Sequence, residues 1–384
     1  MSGRRLPWLV APFGAVVAAL LATSPALAAT QGTWTPTDPM ELARAFAIAS
    51  PLRDGNVLVA GGYDGTSPNV EFRSAEIYDT VTGTWSAAAN MNDVRAAAVS
   101  VRLPGGKIMV IGGENLAGPL GTAEIYDPRN NTWTETAPMF HAHDEDFVAF
   151  VLPKVGRDVH VLVAGGFDET GAASADAEIF SVQHNVWRET GSLNQARGEF
   201  DWVKLNDGDI LVAGGVAGEE SPPLASTEIY HVASGTWTVT GDLNTGRFDQ
   251  GMVRLNDGRV LGAGGGVLGS NGLEYTATSE IWDPNTGQWT TTGDMTSPRS
   301  EIDHATVLLP NGQVLVPGGF LAPDTPQGSS DVYDPSTGTW SAGGDMSTAR
   351  AGHAAAHLAD GRILVIGGLD APPGATASVD IYSV

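Results

Sequence analysis

Residues 108–139 read IMVIGGENLAGPLGTAEIYDPRNNTWTETAPM, and this stretch decides the fold. An apolar run, Ile108 to Ile111, ends on the pair Gly112-Gly113. The triplet Glu124-Ile125-Tyr126 follows. Trp133 lies seven residues beyond the tyrosine, and Met139 six beyond the tryptophan. Working outward, the same unit recurs. Gly-Gly pairs stand at Gly61-Gly62, Gly112-Gly113, Gly165-Gly166, Gly214-Gly215, Gly264-Gly265, Gly318-Gly319 and Gly367-Gly368, with second glycines 51, 53, 49, 50, 54 and 49 residues apart. A repeat near 50 residues governs every other reading of the chain.

Each unit reads as four short strands. The first is apolar, as in Ala96 to Leu103. A tight turn follows, such as Asp54-Gly55, Asp257-Gly258 or Asn311-Gly312, whose residue types accept positive φ. The second strand runs into Gly-Gly. The third carries the acid-aliphatic-aromatic triplet, and the fourth carries Trp85, Trp133, Trp187, Trp237, Trp289 or Trp340. The seventh unit stops at Val384, before its tryptophan. Gly32-Thr33-Trp34 matches Gly83-Thr84-Trp85, so the N-terminal segment supplies the missing fourth strand. Four-stranded units repeated around an axis make a β-propeller. The expectation is an all-β, seven-bladed ring over residues 29–384, with its last blade closed by the N-terminal strand and no sheet edge left open.

The first 28 residues read as a secretory signal peptide. Arg4 and Arg5 open it, Leu9 to Leu21 is apolar, and Ala26-Leu27-Ala28 has the form of a signal peptidase site. The apolar stretch is short for a membrane span, so no span is expected after cleavage. The mature chain is then secreted, to the periplasm or the extracellular space. Lys+Arg 20 against Asp+Glu 44 gives a net charge of -24, which argues against nucleic acid as a partner. There is no cysteine, so disulfides and thiolate sites are excluded.

Gly-Gly, an aromatic and a tryptophan at these spacings resemble the kelch motif. Ala349-Arg350-Ala351-Gly352-His353 leading to Asp360-Gly361-Arg362 is similar to the kelch domain of the galactose oxidase superfamily. Galactose oxidase itself implies copper-radical oxidation. That chemistry uses a tyrosine crosslinked to cysteine, and this chain has no cysteine.

Meander topology selects the functional face. The turns between strands one and two and between three and four share one face, and both are short. The longer two-to-three loops, such as 63–75 and 266–279, share the other face with the blade-to-blade links. Variable loops on a rigid frame are where binding concentrates. Tyr63, Phe72, Phe167, Tyr275 and Phe320 lie in those loops.

An arginine recurs where each first strand starts: Arg44, Arg95, Arg197, Arg247, Arg299 and Arg350. Two roles are open. The resemblance to kelch rings that bind acidic peptides implies anion binding at the mouth. The recurrence itself suits pairing with the repeated acids of strand three. Departures from the repeat point to a site. The third unit has His141, His143, Glu145 and Asp146 in this region. The next three follow their arginines with Glu199 and Asp201, with Asp249, and with Glu301, Asp303 and His304; the seventh has His353 and His357. The first two units are apolar here. One side of the mouth should therefore carry carboxylates and imidazoles.

Three readings follow for this arc. His141, His143, His304 and His353 with nearby carboxylates suit a divalent cation. Carboxylates and arginines beside Tyr63 and Tyr275 suit a glycan. A solvated acidic rim serves solubility alone. The leading functional expectation is a secreted protein that binds an extracellular glycan or protein partner through the mouth, with Glu145, Asp146, Arg197, Glu199, Arg247, Asp249, Arg299, Asp303, Arg350, Tyr63 and Tyr275 as contacts. The alternative is a metal- or carboxylate-dependent enzyme acting on extracellular saccharides.

Overall fold

Each apolar run before a Gly-Gly pair is a strand buried on both faces, as Val57–Ala60 and Ile108–Ile111 show. Such a strand has no solvent side, so it reads as a continuous apolar run rather than an alternation. The computed structural model describes residues 32–66, 70–154, 156–218, 221–270, 272–323, 325–370 and 374–384. The leader expected over residues 1–28 lies outside them. Among the described residues no helix is long and apolar enough to cross a membrane.

Blade one runs from the axis outward as Ile48–Pro51, Val57–Ala60, Ala75–Asp79 and Thr84–Ala88, all antiparallel. The same meander starts again at Val99–Arg102, Val148–Val151, Asp201–Lys204, Gly251–Arg254, Val307–Leu308 and Ala354–His357. The last of these, blade seven, takes its outer strand from Thr33–Thr37. That strand pairs antiparallel with Val379–Ser383, and Trp34 lies opposite Tyr382.

The glycine pairs explain how blades join. The N–H of the second glycine donates to the carbonyl at the arginine position of the next blade: Gly62 to Arg95, Gly113 to His143, Gly166 to Arg197, Gly215 to Arg247, Gly265 to Arg299 and Gly319 to Arg350. Gly368 then donates to the Arg44 carbonyl at 2.9 Å, which returns the stitch to blade one. A Cβ on Gly62 would come within 2.4 Å of the Ala45 carbonyl oxygen, and φ there is +82°. Only glycine permits this approach. The tryptophans pack within their blades, with Tyr78 and Trp85 ring centroids 5.1 Å apart. Some indole N–H groups reach backward along the chain: Trp133 donates to the Ala89 carbonyl and Trp187 to the Ala137 carbonyl, both at 2.8 Å.

Two of the longer loops build secondary structure of their own. Gly266–Gly269 pairs with Gly272–Tyr275, and Glu114–Asn115 pairs with Gly118–Pro119. These small hairpins stand on the face opposite the tight turns.

Candidate functional site

The recurring arginines are not at the site. Arg197, Arg247, Arg299 and Arg350 are wholly buried, as are Arg44 and Arg95. Arg247 shows the reason. It donates to the Gly264 carbonyl at 2.8 Å, the Thr278 carbonyl at 2.9 Å and Glu280 Oε1 at 2.9 Å. Glu280 also accepts the backbone N–H groups of Asn244 and Thr245. Each arginine thus binds the first glycine of its blade to the strand-three acid, and that acid holds the incoming blade-to-blade link. A ligand-binding role for these four side chains is corrected by their burial and full engagement.

Two histidines are corrected on similar grounds. His143 takes the arginine's place in blade three. It is buried, with Nδ1 2.7 Å from the Gly165 carbonyl oxygen and Nε2 3.6 Å from Glu178. His141 lies half-exposed toward Asp176 at 3.9 Å, so the two do not form a pair. His353 fills the packing position that Phe147, Phe200 and Ile302 take in other blades, against Gly318 and Gly368. Burial lowers its pKa to about 3, helped by the charge of Arg350, so it is neutral.

What remains is one arc of acids and one imidazole. Two residues past each arginine position the chain turns through the left-handed region: Phe46, Ala97, Glu145, Glu199, Asp249, Glu301 and Gly352, with φ from 42° to 56°. This position faces the central channel, where Phe46, Ala97 and Gly352 border a cavity of about 150 Å³. Four consecutive blades therefore aim a carboxylate at the axis, while blades seven, one and two present an apolar wall. Asp146, Asp201 and Asp303 join the acids.

Burial and mutual repulsion govern the arc. Burial, then the charges of Asp144 and Asp146, pushes Glu145 up to about 8. Burial, then Glu114, pushes Asp144 up to about 7. Asp303 rises to about 7 through burial and the charge of Asp146. Asp201, Asp249 and Glu301 are raised well above the carboxylate range, burial leading in each case. Asp201 is raised although it accepts backbone N–H groups from Trp202 at 2.6 Å and Met252 at 2.5 Å. His304 answers the acids. Its Nε2 stands 2.9 Å from Asp146 Oδ1 and 3.1 Å from Asp303 Oδ2. Burial alone would lower its pKa, but those two charges raise it.

Tyr63 belongs to the same mouth. It stacks on Phe46 with centroids 5.5 Å apart and planes 12° from parallel. Burial and then the charges of Glu301, Glu114 and Glu145 raise its hydroxyl pKa, which places it in the field of the arc. Tyr275 sits half-buried on the blade-five hairpin, in register with Gly266.

Sequence reasoning did not foresee that blades three and six depart from the repeat in length. Eight residues separate Arg44 from Leu52, and likewise Arg95 from Leu103, Arg197 from Leu205, Arg247 from Leu255 and Arg350 from Leu358. Nine separate His143 from Leu152, and ten separate Arg299 from Leu309. Aligning the units on that leucine is the signal that finds both insertions.

Comparisons with known proteins agree with the ring. A kelch motif model matches residues 49–92 and 95–140. The Caenorhabditis elegans kelch repeat-containing protein kel-10 is 29% identical over 148 residues, covering 38% of this chain and 24% of that protein. Rattus norvegicus Kelch-like protein 36 is 25% identical over 306 residues, covering 78% of this chain and 40% of that protein. The chain thus spans less than half the length of these curated relatives. Among solved structures, a fungal alcohol oxidase of the AA5 family in complex with copper superposes with a TM-score of 0.73 at 19% identity, over 92% of this chain and 76% of that one. That likeness is one of fold. The chain has no cysteine, and among the described residues the cluster that could hold a metal is two carboxylates and one imidazole, Asp146, Asp303 and His304.

Proposed function

The chain is a kelch-repeat protein, and from that premise we propose that it is a secreted binding protein whose mouth face recognises a protein partner. One observation carries the reading. Large apolar side chains stand exposed on the loops of that face: Leu116 is 79% exposed, Leu268 and Leu273 60% each, and Val70 54%. Phe140 at 61% stands on a blade-to-blade link of the same face. Apolar tips around a polar centre are the composition of a protein-docking surface rather than of a surface built only for solubility. Kelch repeats generally mediate protein–protein binding, which supports the same choice.

A random peptide library displayed on phage and selected against the immobilised mature chain tests this. Selected peptides should lose at least tenfold in affinity on Leu268→Ser/Leu273→Ser. Binders indifferent to that change but lost on substitutions in the tight turns of the opposite face would refute it. Glycan-array hits abolished by Tyr63→Ala, with no peptide selected, would replace the protein partner with a glycan. Secretion rests on the leader expected over residues 1–28. Protein recovered from the medium should begin at Ala29, and recovery only inside the cell with Met1 intact would contradict it.

A further inference from the structure

We propose that Asp146, Asp303 and His304 form a binding site for a divalent metal ion of the Mn²⁺ or Zn²⁺ class in the mouth of the ring. The inference goes beyond partner binding and does not depend on it.

The two length departures supply the ligands. In blade three, Glu145 and Asp146 both have positive φ, at 42° and 48°, so the extra residue is accommodated before Phe147 resumes the packing position beside Gly166. In blade six, Ala305 N and Thr306 N both donate to the Ile302 carbonyl, at 3.2 Å and 2.9 Å. This single turn carries Asp303 and His304. The ring needs neither insertion, since five blades fold without one. The two excursions come from blades three apart in a ring of seven, and they meet at the channel. One donor atom from each of the three side chains lies within 4.8 Å of the other two.

His304 Nε2 is within hydrogen-bonding reach of both carboxylates. A bound cation takes the place of the Nε2 proton, which leaves to solvent, and the nitrogen lone pair and one oxygen from each aspartate turn to the metal.

Polar atoms outside the triad are independently left wanting a partner. Asp144 is only 4% exposed, and its Oδ1 has no hydrogen-bond partner. It is close enough to Glu114 and Asp146 for their charges to act on it. His353 is 2% exposed with both ring nitrogens unpartnered, and with His304 it lines the cavity of about 150 Å³. A buried polar group without a partner is costly. The cavity beside His304 and His353 has room for waters that would complete the coordination of an ion. An imidazole among the ligands favours Mn²⁺ or Zn²⁺ over Ca²⁺ and Mg²⁺, which prefer oxygen alone.

The test is titration calorimetry of MnCl₂, ZnCl₂ and CaCl₂ into the mature chain after chelator treatment and dialysis. One Mn²⁺ or Zn²⁺ should bind per chain. Asp303→Asn and His304→Gln should each weaken it at least tenfold, while Asp257→Asn in an opposite-face turn leaves it unchanged. A cooperative melt and parent-like circular dichroism of both variants in chelator separate loss of binding from loss of fold. No stoichiometric Mn²⁺ or Zn²⁺, or binding undiminished in both variants, would overturn the site. Calcium bound as tightly as manganese would overturn the role of the imidazole. Peptides that still bind the mouth of a metal-free chain would leave the partner reading standing while the metal site falls.

Discussion

Arg247→Met separates a structural arginine from a ligand-binding one. The guanidinium is buried, and burial lowers its pKa against the pull of Glu280, so its charge is held at a cost that Glu280 offsets. Truncation removes the bonds to the Gly264 and Thr278 carbonyls and strands Glu280 as a buried anion. Glu280 retains only its bonds from Asn244 N at 2.8 Å, Asn244 Nδ2 at 2.7 Å and Thr245 N at 3.2 Å. Breaking a buried pair from one side costs about 3–5 kcal/mol. At about 2.1 cal/mol/K per residue, a folded unit of roughly 350 residues unfolds with about 0.7 kcal/mol/K, so the midpoint should fall by about 4–7 °C. Arg247→Met/Glu280→Gln should recover part of this loss, because the stranded charge is gone. Calorimetric melting at pH 7 reads both changes. A midpoint within a degree of the parent, together with lost peptide binding, would refute the structural role and return the arginine to the mouth.

Two further outcomes follow from the arc and its backbone. Asp201, Asp249 and Glu301 have folded pKa values above the ordinary carboxylate range, so the native state holds protons that the unfolded chain releases. Their stabilising share is fully present below about pH 4 and is lost as pH rises through the folded values. His304 acts in the same direction, since its pKa is also raised. Urea denaturation in chelator should therefore show greater stability at pH 5 than at pH 8, and Asp249→Asn should gain most at pH 8; the reverse order would contradict the crowding. Ala97 holds φ at 50° with a Cβ that disfavours it. Ala97→Gly should raise stability by about 1 kcal/mol, read by the same denaturation, because the left-handed conformation costs roughly that for a non-glycine residue.

The fold was legible because each kelch unit states its own constraints. Gly112-Gly113 marks a place where carbonyls of two blades crowd the backbone, and Trp133 beside Tyr126 marks the outer strand. The match of Gly32-Thr33-Trp34 to Gly83-Thr84-Trp85 located the closing strand for the same reason. The acid arc was legible as a departure from the repeat, and Asp146, Asp249, Asp303 and His304 do lie together. The arginines misled because recurrence at a rim position looks alike whether a side chain turns to the axis or into the blade. His143 and His353 misled because a histidine in a repeat position inherits that position's packing. Convergence of Asp146 with His304 was not visible, since it depends on two insertions in blades far apart in the chain.

Closure of the ring by the joined ends of the chain is what brings blades seven, one and two against the acidic side. The chain has no cysteine, so a single engineered pair reads this without interference. Thr33 lies directly opposite Ser383. Facing residues on antiparallel strands have Cβ atoms about 4.5–5.5 Å apart, close to disulfide reach. Thr33→Cys/Ser383→Cys should oxidise to an intramolecular disulfide in the folded monomer, found by peptide mapping, and should raise the melting midpoint. Thiols that stay free, or that form only intermolecular crosslinks, would contradict the closed ring and with it the assembly of the mouth.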